Sequence, residues 1–85
     1  MKLIATSRFD RELVALIKAH RVSVGRIEKM LALLLINSAH PSLRLHKLSG
    51  TNNYSVSVNM KLRVIIHFET EQIYLLRIGS HEEVY

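Results

Sequence analysis

Apolar residues recur at helical spacing through the first half of the chain and at alternate positions through the second. Phe9, Leu13, Leu16 and Ile17 stand at i, i+4, i+7 and i+8, one stripe of an amphipathic helix reaching about His20. Ser7 reads as its N-cap, and Asp10 falls in the first turn, where an acid complements the helix dipole. Ser23 caps a second helix that ends near Asn37. Its broad apolar face is Ile27, Met30, Leu31, Leu34 and Leu35, with Arg26, Glu28 and Lys29 outward. Pro41 forbids its continuation. Two helices with so short a connection predict an antiparallel hairpin.

The period then changes. Tyr54, Val56 and Val58 alternate with Ser55, Ser57 and Asn59, and Leu62, Val64, Ile66 and Phe68 alternate with Arg63, Ile65, His67 and Glu69, the pattern of half-buried strands. The polar break Glu69-Thr70-Glu71-Gln72 leads into a third β-rich segment, Ile73 to Gly79. Met1 to Thr6 is short and apolar enough for one more strand, and Leu43 to Leu48 is a strand or a lead-in loop. Gly50-Thr51-Asn52-Asn53 is turn chemistry. The expected architecture is a single α+β domain over residues 1–85, in the order β-α-α-β-β-β. The N-terminal strand and helix hairpin pack on one face of an antiparallel sheet.

If Val56, Val64 and Ile66 face the helices, Ser55, Ser57, Asn59, Arg63 and His67 face away. Arg77, Gly79 and His81 share a parity in the last strand, so Arg63, Arg77 and His81 fall on one open sheet face. That placement needs an odd-length turn before the last strand, because an even one turns Arg77 and His81 inward. Buried, unpaired Arg and His are costly, which favours the first register.

Composition trims the options. At 85 residues there is room for one core, and 48% hydrophobic with 22% charged residues excludes a disordered chain. There is no cysteine, so neither a disulfide nor a thiolate metal ligand. The longest apolar run, Met30 to Ile36, falls far short of the roughly 18 residues of a membrane span. Residues 1–8 lack the apolar stretch of a signal peptide, so a cytoplasmic location and no membrane partner are expected. The net charge of +5 is lopsided: residues 1–63 hold eleven basic and three acidic side chains, residues 64–85 one and four. Such a surface suits a polyanion through phosphate neutralisation, or an acidic protein partner.

Metal chemistry is not expected, since the histidines at 20, 40, 46, 67 and 81 show no paired i, i+4 spacing. Three scattered glycines build no phosphate loop and no nucleophile elbow. Histidine and arginine on a basic surface remain.

His46-Lys47-Leu48-Ser49-Gly50 precedes the Tyr54–Val58 strand, Arg63-Val64-Ile65-Ile66 follows, and Gly79-Ser80-His81-Glu82-Glu83-Val84-Tyr85 comes last. This order and spacing resemble the RelE/ParE toxin superfamily of type II toxin–antitoxin modules, closest to its YafQ-like, RelE/StbE-type mRNA interferases, over essentially the whole chain. The resemblance implies a RelE-like fold and a ribosome-dependent, metal-independent mRNA endonuclease. In that activity the ribose 2′-OH attacks the adjacent phosphate and leaves a 2′,3′-cyclic phosphate. The implied partners are ribosome, mRNA and a cognate antitoxin in a hetero-oligomer, with no cofactor. The chemistry needs a base for the 2′-OH, an acid for the 5′-oxygen and cations on the phosphorane. Histidine supplies the first two near neutral pH and arginine the last.

On the matching positions, the resemblance makes His46 and His81 the acid–base pair, with acid and base unassigned. Arg63 becomes the phosphate-bracing arginine, and Tyr85 the aromatic that stacks on a base or touches the scissile site. Arg77 is a supporting phosphate contact, and Lys47 and Lys61 are RNA contacts. Lys18, Arg21, Arg26 and Lys29 are either ribosomal-RNA contacts or an ordinary solvated helix face. His67 shares Arg63's parity, but cross-strand packing explains it equally well. His20 and His40 read as helix-end and loop residues. The chain departs from part of this branch at Val58-Asn59-Met60-Lys61, which has neither the further histidine nor the acid carried there by some members. Two readings of other kinds stand beside the nuclease: a ParE-type DNA gyrase inhibitor, and a catalytically inactive, antitoxin-binding relative.

Overall fold

A computed structural model describes all of residues 1–85. The elements are β1 (Lys2–Ala5), α1 (Ser7–Lys18), α2 (Val24–Ile36), a 3-10 turn (Pro41–Leu43), β2 (His46–Lys47), β3 (Asn53–Ser57), β4 (Leu62–Glu69), β5 (Gln72–Ser80) and α3 (His81–Val84). One five-stranded sheet runs in the order β1-β5-β4-β3-β2. β2 to β5 form the expected antiparallel meander, but β1 lies parallel to β5, so the sheet is mixed. The crossover through both helices returns the chain to the far edge of the sheet, leaving β5 as the flank on which β1 pairs.

Helix ends follow local chemistry. The N-cap of α1 is Thr6, one residue before the expected Ser7: its hydroxyl accepts from Phe9 N–H. Ser23 caps α2 by accepting from Arg26 N–H. At the far end of α1, His20 takes a left-handed backbone (φ 55°), and the bonds His20 N–H to Ile17 O and Arg21 N–H to Leu16 O close a Schellman motif. Both helices bury against one sheet face. Phe9, Leu16, Ile27, Met30 and Leu34 join Val56, Val64, Ile66, Ile73, Leu75 and Ile78 in a single cluster. The strand periodicity read from the sequence holds here: Val56, Val64 and Ile78 form one cross-strand row, and Tyr54, Ile66 and Leu75 the next.

The turn from β4 to β5 is even, not odd. Glu69 pairs with Gln72, and the register keeps step as far as Ile66 with Leu75. Carried on unbroken, it would aim Arg77 and Gly79 into the core. Instead the pairing jumps to Ile65 with Arg77, passing over Leu76, so Arg63 lies opposite Gly79. This β-bulge restores the outward parity that the even turn would have cancelled. The cap and the N-terminal half of α1 hold it. Thr6 Oγ1 donates to the carbonyls of Leu75 and Leu76 (3.0 and 3.1 Å), and the Glu12 carboxylate accepts from Ile78 N–H at 3.2 Å, where β1 no longer covers the edge of β5.

Candidate active site

The sheet face opposite the helices carries the row His46–Ser55–Ile65 and, beside it, the row Ser57–Arg63–Gly79. Ser55 is fully buried, and its hydroxyl accepts a hydrogen bond from Arg63 Nε. Arg63 Nη2 donates to the carbonyl of Arg44 at 3.0 Å. The guanidinium is thus fixed at two points, and the rest of its five N–H donors are not engaged within the chain. His46 stands exposed on β2, one strand over.

β5 ends at Ser80, so His81 is not a strand residue. It begins α3, which folds back over this face. Ser80 and Glu83 form a reciprocal capping box: Ser80 Oγ accepts from Glu83 N–H, and Glu83 Oε1 accepts from Ser80 N–H at 2.7 Å. Gly79 makes room for the turn, since a Cβ there would lie 3.1 Å from Val84 Cγ1. Val84 is buried beneath it, as is Ile65 on the same sheet face. Arg21 Nη2 reaches Glu83 Oε1 at 3.4 Å, linking α3 to the connection between α1 and α2. The bonds from Ser80, then the Arg21 guanidinium, hold the Glu83 carboxyl below its ordinary range. One helical turn after His81, the ring of Tyr85 packs on the imidazole, with centroids 4.0 Å apart and planes at 53°.

His46, Arg63, His81 and Tyr85 therefore line one open cleft of about 440 Å³, completed by Arg44 and Leu45. The remaining expected contacts lie elsewhere. Arg77 does not reach the cleft: its Nη2 and Nε donate to Glu12 Oε2 at 2.8 and 3.2 Å, so its charge is spent on α1. Lys47 sits in the row of Tyr54, on the other side of the sheet from His46. Lys61 and Arg26 flank a separate hollow with His20 and Arg21, while Lys29 lies beside the 3-10 turn. Arg26 also binds Val58 O through Nε at 2.8 Å. Lys18 is exposed in the last turn of α1. His67 is engaged by Asn53 (3.0 Å) and Glu69 (2.8 Å), away from the cleft. A larger hollow of about 950 Å³ near the β4–β5 turn is lined by Glu69 and Glu71 and holds neither histidine nor arginine.

Two residues that fix Arg63 escape the sequence reading. Ser55 is one small polar residue among several in an alternating strand, and nothing in the pattern singles it out. Arg44 lies in a segment whose structure the periodicity leaves open.

The fold defined by this sheet, its helix pair and the returning last turn is that of the RelE/YafQ toxins. The Escherichia coli YafQ toxin matches over 98% of this chain and 96% of its own, at TM-score 0.82 and 14% identity. The E. coli DinJ-YafQ toxin-antitoxin complex gives 0.84 and 15% over 98% and 94%. A copper-bound mutant toxin from Helicobacter pylori gives 0.87 and 18% over 100% and 99%. The likeness read from the sequence motifs is thus present in the whole backbone. No protein-family model and no curated protein matches the sequence. No helix of the chain is long and apolar enough to cross a membrane.

Proposed function

We propose that the chain is the toxin of a type II toxin–antitoxin module, acting as a ribosome-dependent mRNA endonuclease until a cognate antitoxin neutralises it. The observation that carries this reading is the single cleft lined by His46, Arg63, His81 and Tyr85, drawn from β2, β4 and the last helical turn. Two imidazoles lining one cleft supply a base for the 2′-OH and an acid for the departing 5′-oxygen. The Arg63 guanidinium, pre-fixed by Ser55 and the Arg44 carbonyl, meets the charge that builds on the phosphorane without reorganising. Neither step needs a metal. Tyr85, half exposed over His81, offers a ring to a base. The DinJ-YafQ complex is a toxin bound to its antitoxin in the same fold. The +5 charge suits an acidic antitoxin segment and ribosomal RNA alike.

The test is inducible expression in bacteria of the wild type and the doubly substituted His81→Ala, Arg63→Ala chain, with mRNA 5′ ends mapped after induction. New cuts in translated frames and growth arrest with the wild type alone are expected. Arrest without new ends, or arrest surviving both substitutions, would replace the nuclease with a gyrase-type inhibitor. No arrest would leave an inactive antitoxin-binding protein.

A further inference from the structure

We infer that Arg44 is a substrate-binding residue of this cleft, taking a non-bridging phosphate oxygen of the RNA backbone, and that Arg63 sets the backbone from which it reaches. The inference rests on the nuclease reading for the identity of the bound RNA. Arg44 stands at φ 49°, ψ 50°, in the left-handed region that side chains bearing a Cβ adopt only at a cost. Neither glycine nor asparagine, the usual occupants, is present. The conformation is held from both sides: Arg44 N–H donates to Pro41 O at 3.2 Å, and its carbonyl accepts from Arg63 Nη2 at 3.0 Å. A strained backbone fixed so thoroughly marks a side chain whose placement matters.

The guanidinium of Arg44 has no acceptor within the chain; its residue contributes to the internal hydrogen bonds only through the main chain. Elsewhere the arginines near acids are engaged: Arg77 and Arg8 by Glu12, Arg21 by Glu83. Arg44 is exposed at the mouth of the cleft that also holds His46, Arg63, His81 and Tyr85. Charge arithmetic gives the reason for a second cation. Attack of the 2′-OH on a phosphodiester takes the phosphorus centre from one negative charge toward two. Arg63 has already committed two donors to the protein, Nε to Ser55 and Nη2 to Arg44 O. A free guanidinium beside it supplies the second charge with a bidentate fork.

Arg44→Gly separates this role from a structural one, because glycine accepts the left-handed backbone that arginine adopts under strain. The probe is a short single-stranded RNA with 2′-O-methyl riboses, which cannot be cleaved, titrated into the folded protein across a salt series; melting temperature and cleavage on programmed ribosomes are read alongside. Arg44→Gly should melt at or above the wild-type temperature and bind the RNA about tenfold more weakly, as for one lost phosphate contact. Its log affinity against log salt should be shallower by about 0.7, the value for one phosphate contact on a single strand. Arg44→Lys should keep the salt slope and recover part of the affinity. Unchanged affinity and slope in Arg44→Gly would overturn the assignment, as would a wild type that fails to bind the RNA at low salt. If the wild type shows the Arg44-dependent slope but cleaves nothing on ribosomes, the nuclease reading falls and the phosphate site stands. If it cleaves with Arg44→Gly at full rate, the reverse holds.

Discussion

Replacing Gly79 with alanine should uncouple the last helical turn from the sheet while leaving the core intact. The added Cβ would lie 3.1 Å from Val84 Cγ1 and 3.2 Å from both Cβ and Oε1 of Glu83. All three atoms belong to α3. The strand cannot move away, since Gly79 pairs with Arg63 and its neighbour Ile78 is buried at 2% exposure. The four-residue turn must therefore give. Inserting a methyl into a filled space costs about 1–3 kcal/mol. Against it stand the burial of Val84, worth about 1.5–3 kcal/mol, and the Ser80 cap, about 0.5–2 kcal/mol. These docking terms are themselves opposed by the backbone entropy lost in ordering the turn. Docking is thus a near-balance, and a penalty of about 1–3 kcal/mol shifts it roughly 5- to 150-fold toward the open form.

Two assays read this outcome directly. The ring-current shifts that Tyr85 imposes on the His81 ring protons should collapse toward free-histidine values. The Tyr85 amide, which bonds to His81 O at 3.1 Å, should lose its exchange protection. Melting should fall by less than about 8 °C, because the loss is confined to docking and about 1 kcal/mol moves a domain of this size by 4–8 °C. Cleavage on ribosomes should drop with the docked population. A variant that keeps the His81 and Tyr85 shifts but melts more than about 10 °C lower would show that the sheet absorbs the strain, and would refute the reasoning.

Glu12→Ala should cost about 1–3 kcal/mol by denaturant melting, because it leaves the half-buried Arg77 guanidinium and the Ile78 N–H without their acceptor; a loss below about 0.5 kcal/mol would show that solvent replaces the carboxylate fully. Acid should loosen α3 before the core. The Glu83 carboxyl is held below its ordinary value by Ser80 and Arg21, so its contribution is complete above pH 4.5 and is lost as pH falls from there through its lowered folded-state value. Loss of the Tyr85-induced shift of His81 below that point, with the far-ultraviolet signal of α1 and α2 unchanged, is the expected result; simultaneous loss of both would contradict it.

The two helices, the three long strands and the buried rows were legible because each repeats one period over enough residues to outweigh local exceptions. What escaped the sequence is set by single residues acting at a distance. The parallel seat of β1 follows from the crossover and leaves no mark in a four-residue strand. The bulge at Leu76 is imposed by Thr6 and Glu12, some seventy residues earlier, so the strand's own alternation could not announce it. Arg77 is lost from the cleft for the same reason: its partner lies on α1. His81 is a different case. Ser80-His81-Glu82-Glu83 is a capping-box sequence, and reading it as a helix start would have put His81 on a turn rather than at a strand end.

The cleft joins elements of unequal stability, and this bears on how it works. Arg63 stands on β4, between two paired strands and over a core row that is fully buried. His81 and Tyr85 stand on a single turn anchored by one buried valine, a capping box and one exposed ion pair. An exposed pair contributes at most about 1 kcal/mol, so the turn opens at a free energy well below that of the domain. The Arg63 half of the site is then present in nearly every folded molecule, whereas the His81–Tyr85 half is present only in the fraction with the turn docked. A ligand that touches Tyr85 as well as Arg63 draws the turn closed, by an amount equal to its differential affinity for the two forms. Binding measured at Arg63 and Arg44 alone, and the proposed cleavage through His81, should therefore respond differently to any change in α3. That asymmetry is what the Gly79 substitution isolates.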